Sequence, residues 1–155
     1  MEYFIYLVPV FAIVGLIVMA FKAKWVIKQD AGEKNMLELA SHIKEGALAF
    51  LSAEYRVLII FVVIAGALLA LVSSLIESTS YFIVVAFVIG AFFSALAGNI
   101  GMRIATEANV RTTQAARTSL PDALKVSFTG GMVMGLGVAG LAVFGLSVIF
   151  IVLLQ

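Results

Sequence analysis

All ten Lys and Arg residues of this chain fall in two clusters, and four charge-free apolar spans flank and separate them. The first cluster is Lys22, Lys24, Lys28, Lys34, Lys44 and Arg56; the second is Arg103, Arg111, Arg117 and Lys125. The spans run from about Tyr3 to Phe21, Val57 to Ile76, Tyr81 to Met102 and Val126 to Leu154. A bilayer core takes about 20 apolar residues per helix, and a helix pairs all its backbone polar groups internally. Four such spans predict four transmembrane helices. Loops that collect Lys and Arg stay in the cytoplasm. Both clusters are expected there, with both ends of the chain and the loop around Glu77 outside.

Hydrophobic residues make up 63% of the chain, against roughly 45–50% in a soluble domain. That excludes an ordinary soluble fold and a disordered chain. The net charge of +1 is spread along span-flanking segments and carries no nucleic-acid signal. The chain has no Cys, hence no disulfide and no thiolate metal site. No basic segment precedes the first span and Phe21-Lys22-Ala23-Lys24 follows it, so it reads as a retained helix rather than a cleaved signal. The last residues, Val152-Leu153-Leu154-Gln155, come straight out of the fourth span. The chain is therefore expected to be the N-terminal piece of a longer protein.

The expected helices cover about 3–22, 33–76, 80–117 and 121–154. Pro9 predicts a kink in the first. Tyr3, Tyr6 and Trp25 suit the aromatic belts at the two interfaces. Asp30 with Glu33 reads as a capping box opening the second helix. From there Met36, Ala40, Ile43, Ala47, Phe50, Leu51 and Leu58 recur at helical spacing. Lys34, Glu38, His42, Lys44, Glu45, Ser52 and Arg56 are placed on the opposite face, with Lys34 and Glu38 as an i,i+4 pair. No breaker follows, so one long helix is expected to rise from the cytoplasm into the membrane.

In the third span Gly90, Ser94 and Gly98 form one row of small residues, and Ala97, Gly101 and Ala105 a second. Ser119 as N-cap, with Pro121 and Asp122 in the first turn, predicts the start of the fourth helix. That helix carries Gly130, Gly131, Gly135, Gly137, Gly140 and Gly145. Gly131 and Gly135, spaced as GxxxG, are expected to pack closely against a neighbouring helix.

Ion carriers keep an ionisable side chain at membrane depth. None of the four spans contains Asp, Glu, Lys, Arg or His. Asn99 is the one strongly polar side chain in the third span, and an interhelical hydrogen bond is expected of it. Glu38, His42 and Glu45 could be forced into a metal site, but their spacing is ordinary for an amphipathic helix. No phosphate-binding glycine loop and no nucleophile–base set is present. No catalytic, substrate-binding or metal-ligating residue is assigned.

Two stretches carry a resemblance. Ala40-Ser41-His42-Ile43-Lys44-Glu45-Gly46-Ala47-Leu48-Ala49-Phe50-Leu51, followed by Glu54-Tyr55-Arg56, resembles the "I-x-x-G-A-x-A-F-L-x-x-E-Y" region of membrane-bound, ion-translocating inorganic pyrophosphatases. Gly98-Asn99-Ile100-Gly101-Met102-Arg103-Ile104-Ala105-Thr106-Glu107-Ala108-Asn109-Val110-Arg111-Thr112-Thr113-Gln114-Ala115-Ala116-Arg117, then Ala123-Leu124-Lys125-Val126 and Gly130-Gly131-Met132-Val133-Met134-Gly135, is similar to that family's third-to-fourth-helix segment. The resemblance implies an all-α polytopic membrane protein. Its four transmembrane helices, with cytoplasmic helical extensions, would be part of a bundle of about sixteen spanning helices. It implies a homodimer in the lipid bilayer that hydrolyses magnesium pyrophosphate on the cytoplasmic side and drives protons or sodium ions outward. Mg2+ would be held outside this segment, and K+ as a further cofactor is left open. The family's acidic D-V-G-A-D-L-V-G-K-type motif is absent, so no catalytic residue carries over, and these helices are expected to form part of an outer wall.

Three other classes of membrane protein share this size or span count. A rotary-ATPase proteolipid and a small multidrug-type transporter each need a carboxylate at membrane depth, which the spans lack. A non-catalytic four-helix scaffold agrees with the residues as well as the leading reading does, and only the resemblance separates them.

Overall fold

The computed structural model describes residues 5–76 and 80–153. Its helices are α1 (Leu7–Ile27), α2 (Lys34–Leu75), α3 (Phe82–Ala116) and α4 (Leu120–Leu153). Each is long and apolar enough to cross a membrane, and among the described residues there is no strand. At 1.5 Å per residue, the 42 residues of α2 extend about 63 Å, twice the roughly 30 Å of a hydrocarbon core. The first half of α2 therefore stands clear of the bilayer, as do the last turns of α3. Tyr3, Glu2 and Glu77 lie outside the described residues.

α3 is the central element and touches each of the other three helices. α4 packs on α3 and on α1, whereas α2 touches α3 alone. The interior of the α1–α3–α4 group is built from small and branched residues. Ala12, Val26, Ala97, Ile104, Ala108, Ala123, Val126, Val133 and Leu141 are all buried. Small side chains matter here because lipid gives apolar helices no hydrophobic reason to associate, leaving close packing to hold them. Large apolar residues such as Phe11, Phe21, Phe61, Phe92 and Leu146 face outward, as suits a lipid surface.

Several local expectations need correction. α1 runs through Lys22, Lys24 and Trp25 to Ile27 instead of stopping near residue 22, because no breaker precedes Asp30-Ala31-Gly32. Gly32 turns the chain with φ +85°, and a Cβ there would meet Met36 Sδ at 2.7 Å and Gln114 Oε1 at 2.9 Å. Pro9 sits in the first turn of α1, where its missing N–H has no intrahelical acceptor to lose, so it gives no reason for a kink. The Asp30–Glu33 capping box does not form. Glu33 is itself the N-cap and makes no side-chain cap bond, while Asp30 Oδ1 accepts the Gly32 N–H at 2.9 Å. Ser119 does cap α4, accepting the Asp122 N–H on Oγ at 3.3 Å.

The glycines pack differently from expectation. Gly131 and Gly135 have open space where a Cβ would project. The close approaches fall at other glycines of α4, one of them directly beside Gly131. A Cβ on Gly130 would lie 2.8 Å from Ala108 Cβ, one on Gly140 2.7 Å from Leu16 Cδ2, and one on Gly145 2.7 Å from Phe93 Cδ2. On α3 the first expected row, Gly90, Ser94 and Gly98, is exposed; of the second, Ala97 and Gly101 are buried, and Ile104 and Ala108 rather than Ala105 continue it. One step along a helix turns the side chain by about 100°, so a row misjudged by one residue faces another neighbour.

Candidate functional site

The polar chemistry gathers where α1 ends, α2 begins, α3 ends and α4 begins. Glu107, five residues past the third apolar span, is its centre. Lys44 Nζ donates to Glu107 Oε1 at 2.7 Å, and Arg111 Nη1 donates to Oε2 at 2.6 Å. Both bonds hold the Glu107 carboxyl below its ordinary range, Lys44 most strongly, against the opposing effect of burial.

Arg111 reaches further. Its Nε and Nη2 donate to the Ile27 carbonyl at 3.2 and 3.0 Å, and its side chain is only 11% exposed. Ile27 is the last residue of α1, whose final carbonyls have no intrahelical partner. A guanidinium suits that end by charge and by its fork of donors. Glu107 and Arg111 thus join α2, α3 and the end of α1 in one chain of contacts.

The α1–α2 connection is tied to α3 in the same region. Gln114 Nε2 donates to Asp30 Oδ2 at 2.9 Å, and Arg117 Nη1 to Glu33 Oε1 at 2.7 Å. The Gly32 N–H and then Gln114 hold the Asp30 carboxyl below its usual range. Inside the apolar zone, Tyr55 of the Glu54-Tyr55 pair donates its hydroxyl to the Ala95 carbonyl at 2.6 Å. This second tie links α2 to α3.

The expected polar face of α2 is partly reversed. Lys44 turns to α3, whereas Ile43 and Phe50, expected on the packed face, are 50% and 60% exposed. Lys34 and Glu38 form no ion pair with each other; those among the described residues are Lys44–Glu107, Arg111–Glu107 and Arg117–Glu33. Among the described residues Asn99 makes no interhelical bond; its Oδ1 accepts from Arg103 Nε at 2.7 Å within α3. Glu38, His42 and Glu45 are exposed. Among the described residues no three His, Cys, Asp or Glu side chains converge as metal ligands. Among the described residues no donor set fits the magnesium that the resemblance implies. The bonds at Glu107 were not legible beforehand, because Lys44 lies 63 positions away.

Fold and site together define a polytopic helical membrane protein whose charged groups neutralise one another at one end of the bundle. The family described as inorganic H+ pyrophosphatase matches residues 13–155, and the chain belongs to that family. It is 42% identical over 93% of its length to the "K(+)-insensitive pyrophosphate-energized proton pump 2" of Moorella thermoacetica. It is 41% identical over 97% to the "K(+)-insensitive pyrophosphate-energized proton pump" of Methanosarcina mazei. It is 36% identical over 95% to the "K(+)-stimulated pyrophosphate-energized sodium pump" of Thermotoga maritima. The matches take in 20%, 22% and 20% of those relatives, so the chain spans about a fifth of their length.

Proposed function

We propose that this chain is an N-terminal wall segment of a pump that couples pyrophosphate hydrolysis in the cytoplasm to outward transport of H+ or Na+. The observation that carries the reading is membership of the family combined with four spans that hold no ionisable side chain. A helix on the ion path needs a charge relay or a coordinating group at membrane depth; a wall helix needs only to pack. The rows Ala97–Gly101–Ile104–Ala108 and Gly130–Gly140–Gly145 supply that packing. The Glu107–Arg111–Lys44 ties hold the helix ends in register outside the lipid.

In this reading the two basic clusters face the cytoplasm, following the Lys/Arg bias of cytoplasmic loops. The protein works as a homodimer in the cell membrane. Magnesium and pyrophosphate are bound by residues beyond this segment, because two metals and a diphosphate need several converging carboxylates and bases. Proton and sodium pumps stand side by side among the relatives, and the ion is selected outside these four helices. The test is pyrophosphate hydrolysis by the full-length parent in inverted vesicles. Magnesium-dependent phosphate release with acidification or sodium loading supports the reading; a folded parent that releases no phosphate defeats it.

A further inference from the structure

The register of α2 against α3 moves the membrane surface along α2. By charge the second span begins at Val57, with Glu54 and Arg56 just outside it, and length alone leaves half of α2 clear of the lipid. The contacts shift that boundary. Lys44 meets Glu107, Tyr55 donates to the Ala95 carbonyl, and Phe61 and Phe87 lie edge-on with ring centroids 6.4 Å apart. The two helices therefore run antiparallel with a steady offset. Ala95 comes seven residues before Met102, where the third span ends. At 1.5 Å per residue, Glu54, Tyr55 and Arg56 sit about 10 Å inside the level at which α3 leaves the lipid. A surface drawn at Ala95 instead would leave only residues 82–95 of α3, about 21 Å, to cross a core of roughly 30 Å.

Glu54 is the carboxylate that this shift leaves at membrane depth. It is exposed and, among the described residues, has no ion pair. Arg56 is two positions on, about 200° around the helix. Its long side chain leans toward the cytoplasmic end of α2, where its charge reaches water. Glu54 is shorter and lines a hollow of about 380 Å³ with Tyr55, Phe61, Ser94 and Gly98. A second hollow of about 510 Å³ shares Ser94 and Gly98 and is bounded on its far side by Ala142, Leu146 and Ile149 of α4. Among the described residues α2 and α4 do not touch. The two hollows thus form one valley, with the exposed row Gly90, Ser94 and Gly98 as its floor. No cation lines either of them.

We propose that this valley seats a further spanning helix of the same pump, and that this helix presents a Lys or Arg to Glu54. The proposal rests on the reading of this chain as a wall segment, which spans about a fifth of its relatives' length. Ionisable groups at membrane depth turn to the bundle interior and pair there, rather than facing acyl chains. A floor of Gly and Ser lets a helix backbone approach closely. A second copy of the chain fits worse. A two-fold axis along the membrane normal brings equal depths together and sets Glu54 against Glu54. Outward of Ser94 the described lining is apolar, so no polar relay leads on from Glu54, and the contact holds the wall to its neighbour.

The test uses the full-length parent in its membrane. The photoreactive residue p-benzoylphenylalanine replaces Phe61, which lines the valley from α2, or Leu146, which lines it from α4. Both are large and exposed, at 59% and 70%, so the probe displaces no packed core. Irradiation is expected to join both positions to one spanning segment outside residues 1–155, identified by mass spectrometry of the linked peptides. That segment should carry a Lys or Arg at the depth of Glu54. Glu54→Gln should shorten the half-life of the solubilised parent at elevated temperature about ten-fold, as for a lost hydrogen bond to a charged group. Neutralising the facing cation as well should add little, and Glu38→Gln, on the solvated part of α2, should change nothing. Adducts with lipid alone, a cross-linked pair of parents, or two different segments overturn the proposal. So does an unaltered half-life in Glu54→Gln, or full additivity of the two neutralisations. Either probe alone distinguishes helix, lipid and second copy where the other variant fails to fold. Adduct formation does not require turnover, so a parent that releases no phosphate defeats the pump reading and leaves the occupant of the valley still decided by its adducts.

Discussion

Lys44 and Glu107 meet at 2.7 Å across a gap of 63 residues, and this contact fastens α2 to α3 at the charged end. Because α2 packs on α3 alone, it has few other restraints outside the bilayer. The Lys44 side chain is 44% exposed and that of Glu107 24%, so solvent screens the pair and its contribution is about 1 kcal/mol or less. Lys44→Met should lower thermal stability in detergent by that amount. Glu107→Gln should cost more, about 1–3 kcal/mol, because it also leaves the nearly buried Arg111 guanidinium without its charge partner. A double-mutant cycle would measure the coupling; strictly additive losses would refute a direct tie.

The same network predicts a pH response. The folded-state pKa of Glu107 is depressed below the ordinary 4.5. A depressed carboxyl contributes stability that is fully present above the unfolded value and is lost as pH falls through the folded one. Stability against heat should thus be insensitive to this group from neutral pH down to about 5, then decline below the ordinary carboxylate value. Glu107→Gln should flatten the part of the decline that this group causes. Identical acid profiles for wild type and variant would exclude Glu107 as a contributor.

Neighbouring glycines on α4 should respond in opposite ways. Gly130→Ala places a methyl 2.8 Å from Ala108 Cβ, an atom with no rotamer to move to. Overpacking of this kind costs about 1–3 kcal/mol. Gly131→Ala meets nothing within 4 Å and gains helix propensity, so it should be neutral or stabilising. Gly145→Leu against Phe93 should likewise be worse than Gly135→Leu. Melting temperatures of the purified variants in one detergent decide it; equal tolerance at Gly130 and Gly131 would contradict the packing.

These contrasts mark where the sequence was legible. Charge-free length alone located the four spans, since lipid tolerates few alternatives. Ser119 was readable as a cap because its bond is local. Asp30 carried an equally local signal, but Gly32 and the distant Gln114 captured its carboxylate first. Lys44 looked solvated because its partner lies on another helix, and helical spacing says nothing about which helix lies alongside. The choice between Gly130 and Gly131 needed the orientation of α4, which a glycine-rich helix without a marked polar face does not encode.

Orientation has its own test. The chain has no Cys, so single cysteines introduced at Lys28 and at Ser80 report their side without background. With the Lys/Arg clusters in the cytoplasm, Lys28→Cys should react only from the cytoplasmic side and Ser80→Cys only from outside. The reverse pattern would invert the topology.

The last prediction separates wall from active site. Met1–Gln155 alone should release no phosphate from magnesium pyrophosphate, because its described carboxylates do not converge in threes and two-metal hydrolysis needs such a set. In a full-length parent, Glu107→Gln and His42→Ala should change yield or stability while leaving turnover per folded molecule within a few-fold of wild type. His42 is exposed and makes no ion pair, and Glu107 is occupied by Lys44 and Arg111. The rate must be normalised to folded protein, since Glu107→Gln weakens the ties between helices and would otherwise imitate a catalytic defect. A loss of several orders of magnitude in well-folded Glu107→Gln would exceed what a displaced wall helix explains. It would place this carboxylate among the groups that touch the substrate or its metals.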